Sequence, residues 1–258
     1  SGAGAHDRLA EVVAELKGDD PMARVSVVVP ANPAGVAARR ALGARRHGDT
    51  GRAGVVGVWF GTLQELAAEL STPTLMSSGS RRMTDQELLA LVRMELGRTD
   101  GGVLAPVRHH PSTQRAVADA IVSLRQADDQ RIDERWPRAL AREVKVLGTR
   151  IATRAGLHDE ADELMIAGSV AKAGEAASIG PVVLVQPEWL RPHERNFVRG
   201  LADGGSTVVV LATATGVPAA DVVAVELAQA LGVSESAPPS GTAVGGSDSL
   251  MLPGEVAH

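Results

Sequence analysis

Apolar residues fall at Leu9, Val12, Val13 and Leu16, the spacing of a single helical stripe, and predict a helix over 7–17. Gly18-Asp19-Asp20-Pro21 stops it. The run Arg24-Val25-Ser26-Val27-Val28-Val29-Pro30 predicts a strand over 24–29. Its nearly unbroken apolar character suits a parallel strand covered on both faces. Ala31-Asn32-Pro33 then turns the chain into a helix over 34–46, closed by Arg45-Arg46-His47-Gly48 with basic residues at its C-terminus. Residues 48–54 read as a loop and Val55 to Phe60 as a second strand. Thr62, with Glu65 three residues on, has the spacing of a capping box and opens a helix over 63–70.

The period then changes. Residues 71–82 are rich in Ser, Thr, Gly and Pro and read as a loop. From 84 to about 175 the pattern is helical and no strand candidate interrupts it. Thr84 with Glu87 is a second capping-box pair, and Pro111-Ser112 opens a helix reaching about 127. Further helices are predicted over 138–155 and 159–173. Strand–helix alternation returns with a strand at 181–185, a helix at 191–202, a strand at 207–212 and a helix at 219–231. Residues 233–249 read as a flexible Ser/Pro/Gly-rich linker.

Strands separated by helices imply a parallel sheet with crossover connections, so the fold class is α/β. An all-helical insertion interrupts it. The expected organisation is a first α/β half over 1–70, a helical insertion over 71–180, a second α/β half over 181–232 and a linker over 233–258 that leads toward a further domain. Ser1-Gly2-Ala3-Gly4 lacks Met and reads as a cloning remnant or the start of an excised fragment.

Composition narrows the chemistry. There is no Cys, which excludes disulfides, thiolate zinc sites and Cys nucleophiles and suits a reducing cytoplasm. No apolar run approaches the ~18 residues of a membrane span, so no membrane partner is expected. The basic residues are 23 Arg and 3 Lys, and the net charge of −5 is uneven. Residues 81–154 carry +4, whereas 155–258 carry −9. An acidic chain is not a general nucleic-acid binder; the mildly basic middle could touch phosphate, but a solvated, Arg-rich helical face explains it more simply.

Several segments carry a family resemblance. They are Val27-Val28-Val29-Pro30-Ala31-Asn32 with Ala37-Ala38-Arg39-Arg40-Ala41-Leu42, and Val58-Trp59-Phe60-Gly61-Thr62-Leu63 with Leu66-Ala67. They continue with Leu104-Ala105-Pro106-Val107, His110-Pro111-Ser112-Thr113, Asp159-Glu160-Ala161-Asp162-Glu163-Leu164 and Leu190-Arg191-Pro192-His193-Glu194. In this order and spacing, over nearly the whole chain, they resemble the N-terminal helicase-like region of AddB-type subunits. Those subunits belong to bacterial helicase–nuclease complexes that process DNA double-strand breaks. The resemblance implies a RecA/P-loop-like fold of superfamily 1 helicase type with degenerate motor motifs. It also implies a PD-(D/E)XK nuclease far downstream, in a parent that is an ATP-dependent exonuclease or helicase subunit. DNA, a helicase partner subunit or that nuclease region are the implied partners. In motor helicases the turn and helix after the first strand face the DNA backbone, so Asn32, Arg39, Arg40 and Thr62 are the implied DNA contacts.

The motor chemistry is missing from the residues. A phosphate-binding loop needs glycines, a Lys for the β/γ phosphates and a Ser/Thr for magnesium. The candidate Ser1-Gly2-Ala3-Gly4-Ala5-His6-Asp7-Arg8 supplies Gly2 and Gly4 at a helix start, but no Lys before Lys17, and Asp7 would repel phosphate. Hydrolysis also needs an acidic pair at a strand end. Gln186-Pro187-Glu188 stands there instead, leaving Gln186 and Glu188 as remnants of a degenerate nucleotide site. No cofactor and no metal is expected.

Other candidates have plainer readings. Asp159, Glu160, Asp162 and Glu163 suit the first turn of a helix, and His109-His110-Pro111 leads into one. No Gly-x-Ser-x-Gly supports a Ser/His/Asp triad. Trp59, Phe60 and Trp189 could stack on bases but more simply pack the core. Two functions remain. One is a non-catalytic helicase-like scaffold of a DNA-repair nuclease subunit, overlapping with a pure protein-interaction module. The other is a stand-alone α/β enzyme that binds a nucleotide or small molecule at the strand tips.

Overall fold

Four short, largely apolar strands lie parallel and side by side in the computed structural model, which describes residues 2–44, 46–47, 52–127, 137–154, 156–187, 190–212, 222, 229, 231 and 248–251. In chain order the elements are α1 (Gly2–Lys17), β1 (Val25–Val28), α2 (Asn32–Ala44), the two-residue β2 (Arg46–His47) and β3 (Arg52–Ala53), β4 (Val58–Gly61) and α3 (Leu63–Ser77). Next come β5 (Arg81–Arg82), α4 (Asp85–Gly97), α5 (Pro111–Gln126), α6 (Arg138–Ala152), β6 (Leu157–His158) and α7 (Glu160–Lys172). The last are β7 (Val182–Val185), α8 (Pro192–Asp203), β8 (Val208–Ala212) and β9 (Asp248–Met251). The expected helix over 219–231 and the linker over 233–249 fall mostly outside the described residues.

The chain divides into two compact units. One comprises Ser1–Leu70, Leu164–Leu190 and Glu194–His258, and the other Ser71–Glu163 with Arg191–His193. The first unit holds the sheet, ordered β4-β1-β7-β8-β9. The β4, β1, β7 and β8 strands are parallel; β9 pairs antiparallel with β8 through Val209↔Met251 to Ala212↔Asp248. This is a covered α/β sheet of the Rossmann/RecA-like kind.

Period-2 alternation sorts the strand side chains onto two cores. Val182, Leu184, Val208 and Val210 join Leu66, Ala67, Ala167, Phe197 and Leu201 on one face. Val25, Val27, Val183, Val209 and Leu211 join Leu9, Val12, Ala38 and Leu42 of α1 and α2 on the other. Burying a side chain the size of Phe197 stabilises by about 2–3 kcal/mol. Ser26 is the one polar position within β1, and its hydroxyl donates to the carbonyl of Ile179 at 2.6 Å. Two helices approach closely: a Cβ at Gly200 of α8 would stand 2.5 Å from the carbonyl oxygen of Gly168 in α7.

The second unit is helical. α4, α5 and α6 enclose Val92, Leu96, Val117, Ile121, Val144, Leu147 and Ile151. Gly148 allows α6 to approach α5, since a Cβ there would lie 3.3 Å from Ile121. The Thr84–Glu87 box forms at the start of α4, the threonine hydroxyl accepting from the Glu87 N–H at 3.3 Å.

Several sequence expectations are corrected. The helix expected over 34–46 ends at Ala44, and Arg46–His47 pairs antiparallel with Arg52–Ala53 inside the expected helix end and loop. Residues 71–77 are not loop: α3 continues through Pro73 to Ser77, where the Ser77 hydroxyl caps back onto the Thr74 carbonyl at 2.8 Å. The helical block does contain strands, because Arg81 and Arg82 pair in parallel with Leu157 and His158. The expected linker over 233–258 contains a strand, β9, which pairs with β8.

Candidate functional site

In an open parallel sheet, ligands bind beyond the carboxyl ends of the strands where the connections diverge. Here that place lies between β1 and β7, because β1 leads to β4 on one side while β7 leads to β8 on the other. A crevice of about 210 Å³ sits there. Val28, Val29 and Pro30 line it from β1, Thr62 and Leu63 from the tip of β4, and Leu184, Pro187 and Leu190 from β7 and its turn. Glu194 is the one acidic or basic residue among the described residues lining it. A carboxylate and an apolar wall disfavour a triphosphate on Coulombic grounds.

The turn that joins β1 to α2 is Pro30-Ala31-Asn32-Pro33, and its Pro30 lines this crevice. Asn32 opens α2 and is exposed, and the Ala34 and Gly35 N–H groups fold back on the Ala31 carbonyl at 3.0 and 3.3 Å. Gly35 lets α2 lie tight on the sheet, a Cβ there meeting Val29 at 3.2 Å. Gly2 and Gly4 are elsewhere: both lie within the first turns of α1, with no strand before them among the described residues, and neither lines the crevice. Sequence reasoning chose them because they precede a helix.

At the tip of β7, Gln186 adopts a φ of 45°, the one positive value among the described non-glycine residues. Its N–H donates to the Leu211 carbonyl at 2.7 Å, so the ladder to β8 runs past the end of β7. Glu188 and Trp189 lie outside the described residues.

Of the implied DNA contacts, Thr62 is committed to its helix. Its N–H donates to Glu65 Oε2 at 2.7 Å and its hydroxyl accepts from the Glu65 N–H at 3.2 Å, closing the capping box. Arg39 lies with its guanidinium carbon 5.3 Å from the centre of the Phe60 ring. Arg40 is exposed. Trp59 is half-buried over Gly61 and packs against the core of α3, α7 and α8, so its ring serves the fold.

The acidic cluster 159–163 is built into the helical unit and the start of α7. Asp159 and Asp162 cap each other's N–H groups at 2.9 and 3.0 Å, and Arg125 of α5 reaches both carboxylates, at 2.5 and 2.6 Å. Burial pushes the Asp162 carboxyl above its ordinary range. His158 stands between Ser80, at 2.9 Å from Nδ1, and Glu163, at 3.4 Å from Nε2. Beside them a cavity of about 140 Å³ lies over Leu88, Ile121 and Ile151. Among the described residues no group of three His, Asp or Glu side chains is placed to hold a metal ion. No described helix is long and apolar enough to cross a membrane.

No protein-family model matches the chain, and no curated protein matches it.

Proposed function

We propose that this chain is a helicase-like scaffold without a motor of its own. It would be the α/β region of a subunit of a bacterial DNA-break-repair helicase–nuclease, guiding a DNA strand or supporting assembly with a helicase partner or a nuclease region. The observation that supports this reading best is the chemistry at the strand tips. The crevice between β1 and β7 occupies the position of a nucleotide site, yet its turn is Pro30-Ala31-Asn32-Pro33 and its charge comes from Glu194. Backbone N–H groups wrapped by glycines, a lysine and an acidic strand end are the groups that would hold a metal-bound triphosphate. None stands at Pro30-Ala31-Asn32-Pro33 or at Gln186-Pro187.

The position of the crevice also supports the second reading, a small-molecule or nucleotide enzyme. Titration with fluorescent ATP and magnesium separates the two. The scaffold reading expects no saturation below millimolar nucleotide and no phosphate release. Micromolar binding with turnover would overturn it in favour of the enzyme.

A further inference from the structure

Helix α6 presents a row of cations with no carboxylate among them. Arg138, Arg142, Lys145 and Arg150 are exposed, while Ala141, Val144, Leu147, Gly148 and Ile151 are buried. The one acidic residue of the helix, Glu143, is engaged elsewhere: its Oε2 accepts from the N–H groups of Val103 at 2.8 Å and Leu104 at 3.4 Å. Among the described residues no hydrogen bond or ion pair holds the guanidinium of Arg138, Arg142 or Arg150. By contrast Arg81, Arg98, Arg125 and Arg154 of the same unit are each paired with a carboxylate.

The placement works against the helix itself. Arg138 and Arg142 lie in and just after the first turn, where the positive end of the helix dipole disfavours cations. Pro137 at the N-cap supplies no side-chain hydrogen bond to the first N–H groups. Those N–H groups and two guanidinium groups at one helix start make a surface that attracts anions.

We propose that this face binds the phosphodiester backbone of a nucleic acid. Arg138 and Arg142 follow one another at a step of about 6 Å along the helix axis, so a strand lying along α6 offers each guanidinium its own phosphate. Guanidinium groups match phosphate oxygens in bidentate fashion. A lipid surface fits less well, because the apolar residues that would insert are already buried in the unit. An acidic protein would require an apolar or aromatic interface centre, and among the described residues Val146, at 46%, is the one large hydrophobic side chain that α6 exposes.

The inference rests on the reading that the protein contacts DNA, but locates a contact distinct from Asn32, Arg39 and Arg40. The test is fluorescence anisotropy with labelled single- and double-stranded oligonucleotides over a salt series. It compares wild type with Arg138→Glu/Arg142→Glu, Arg138→Gln/Arg142→Gln and Arg39→Glu/Arg40→Glu, with circular dichroism to verify helix content. The Arg138/Arg142 variants should bind on the order of tenfold more weakly, with the slope of log K against log salt reduced by about 2. Unchanged affinity and slope in both pairs, with Arg39→Glu/Arg40→Glu impaired, would overturn this inference alone. Absence of binding by wild type would overturn it together with the DNA reading. Retention on phosphatidylglycerol vesicles that oligonucleotide cannot displace would also overturn it.

Discussion

The guanidinium of Arg39 lies over the ring of Phe60, 5.3 Å from its centre, and ties α2 to β4. Arg40, the next residue, has no such tie among the described residues. The two arginines should therefore separate in their effects. Arg39→Glu loses a cation–π contact of about 0.5–1 kcal/mol at an exposed site and should lower the urea midpoint. Arg40→Glu should leave stability within about 0.5 kcal/mol. On the scaffold reading, the double Glu variant weakens oligonucleotide binding by the intact protein, and unchanged binding rejects DNA contact at α2. Equal midpoints for the single variants would contradict the ring contact.

Gln186 holds a backbone conformation that a side chain disfavours, with φ at 45°. The hydrogen bond from its N–H to the Leu211 carbonyl ties it to β8. A Cβ in this region costs roughly 1 kcal/mol relative to glycine. Gln186→Gly should raise the unfolding free energy by up to about 1 kcal/mol, and Gln186→Val should lower it by about 1–2 kcal/mol. Chemical denaturation measures both. A glycine variant less stable than wild type would show that the glutamine side chain outweighs the strain.

The four parallel strands of the sheet were legible because apolar cover leaves continuous runs such as Val182 to Val185 in the sequence; β9 was not. The starts of α3 and α4 were legible because Thr62–Glu65 and Thr84–Glu87 are local signals with a fixed spacing. The continuation of α3 was not, since Pro73 removes a helix hydrogen bond and local rules end the helix there. The burial of Leu75 at the far side of that proline is a tertiary gain that no local rule contains. The pairing of Arg81 and Arg82 with Leu157 and His158 is too short to leave a period. The crevice was only half legible. Gln186 was found because it ends a strand, but the adjacency of β1 and β7 depends on strand order. The grip of Arg125 on Asp159 and Asp162 spans more than thirty residues and leaves no pattern.

Glu87 makes the stability of the helical unit depend on acid. The Arg81 guanidinium, with the Thr84 N–H and hydroxyl, holds its carboxyl at about 2, down from an ordinary 4.5. A carboxylate whose pKa is lower in the folded state stabilises above its unfolded value and loses that contribution as pH falls through the folded one. Stability should therefore decline between about pH 4.5 and pH 2, and Glu87→Gln should flatten that segment of the curve. Urea midpoints measured across this range test it. An unaltered decline in Glu87→Gln would remove Glu87 as the cause.

Glu95 is a buried acid of the helical unit, 5% exposed within α4. Arg154, just beyond the end of α6, donates to its Oε1 at 2.5 Å, and the more exposed Arg98 reaches the same oxygen at 3.4 Å. Truncating one partner of such a pair leaves a buried charge without its main neighbour, which is harsher than replacing both with apolar groups. Arg154→Ala should destabilise by about 2–3 kcal/mol, discounted from a fully buried pair because Arg154 is partly exposed and Arg98 remains. Glu95→Leu/Arg154→Leu should be less destabilised than Arg154→Ala. A double-mutant cycle from urea unfolding gives the coupling between the two. A coupling near zero would mean that packing of the arginine stem, and not its charge, joins α4 to the end of α6.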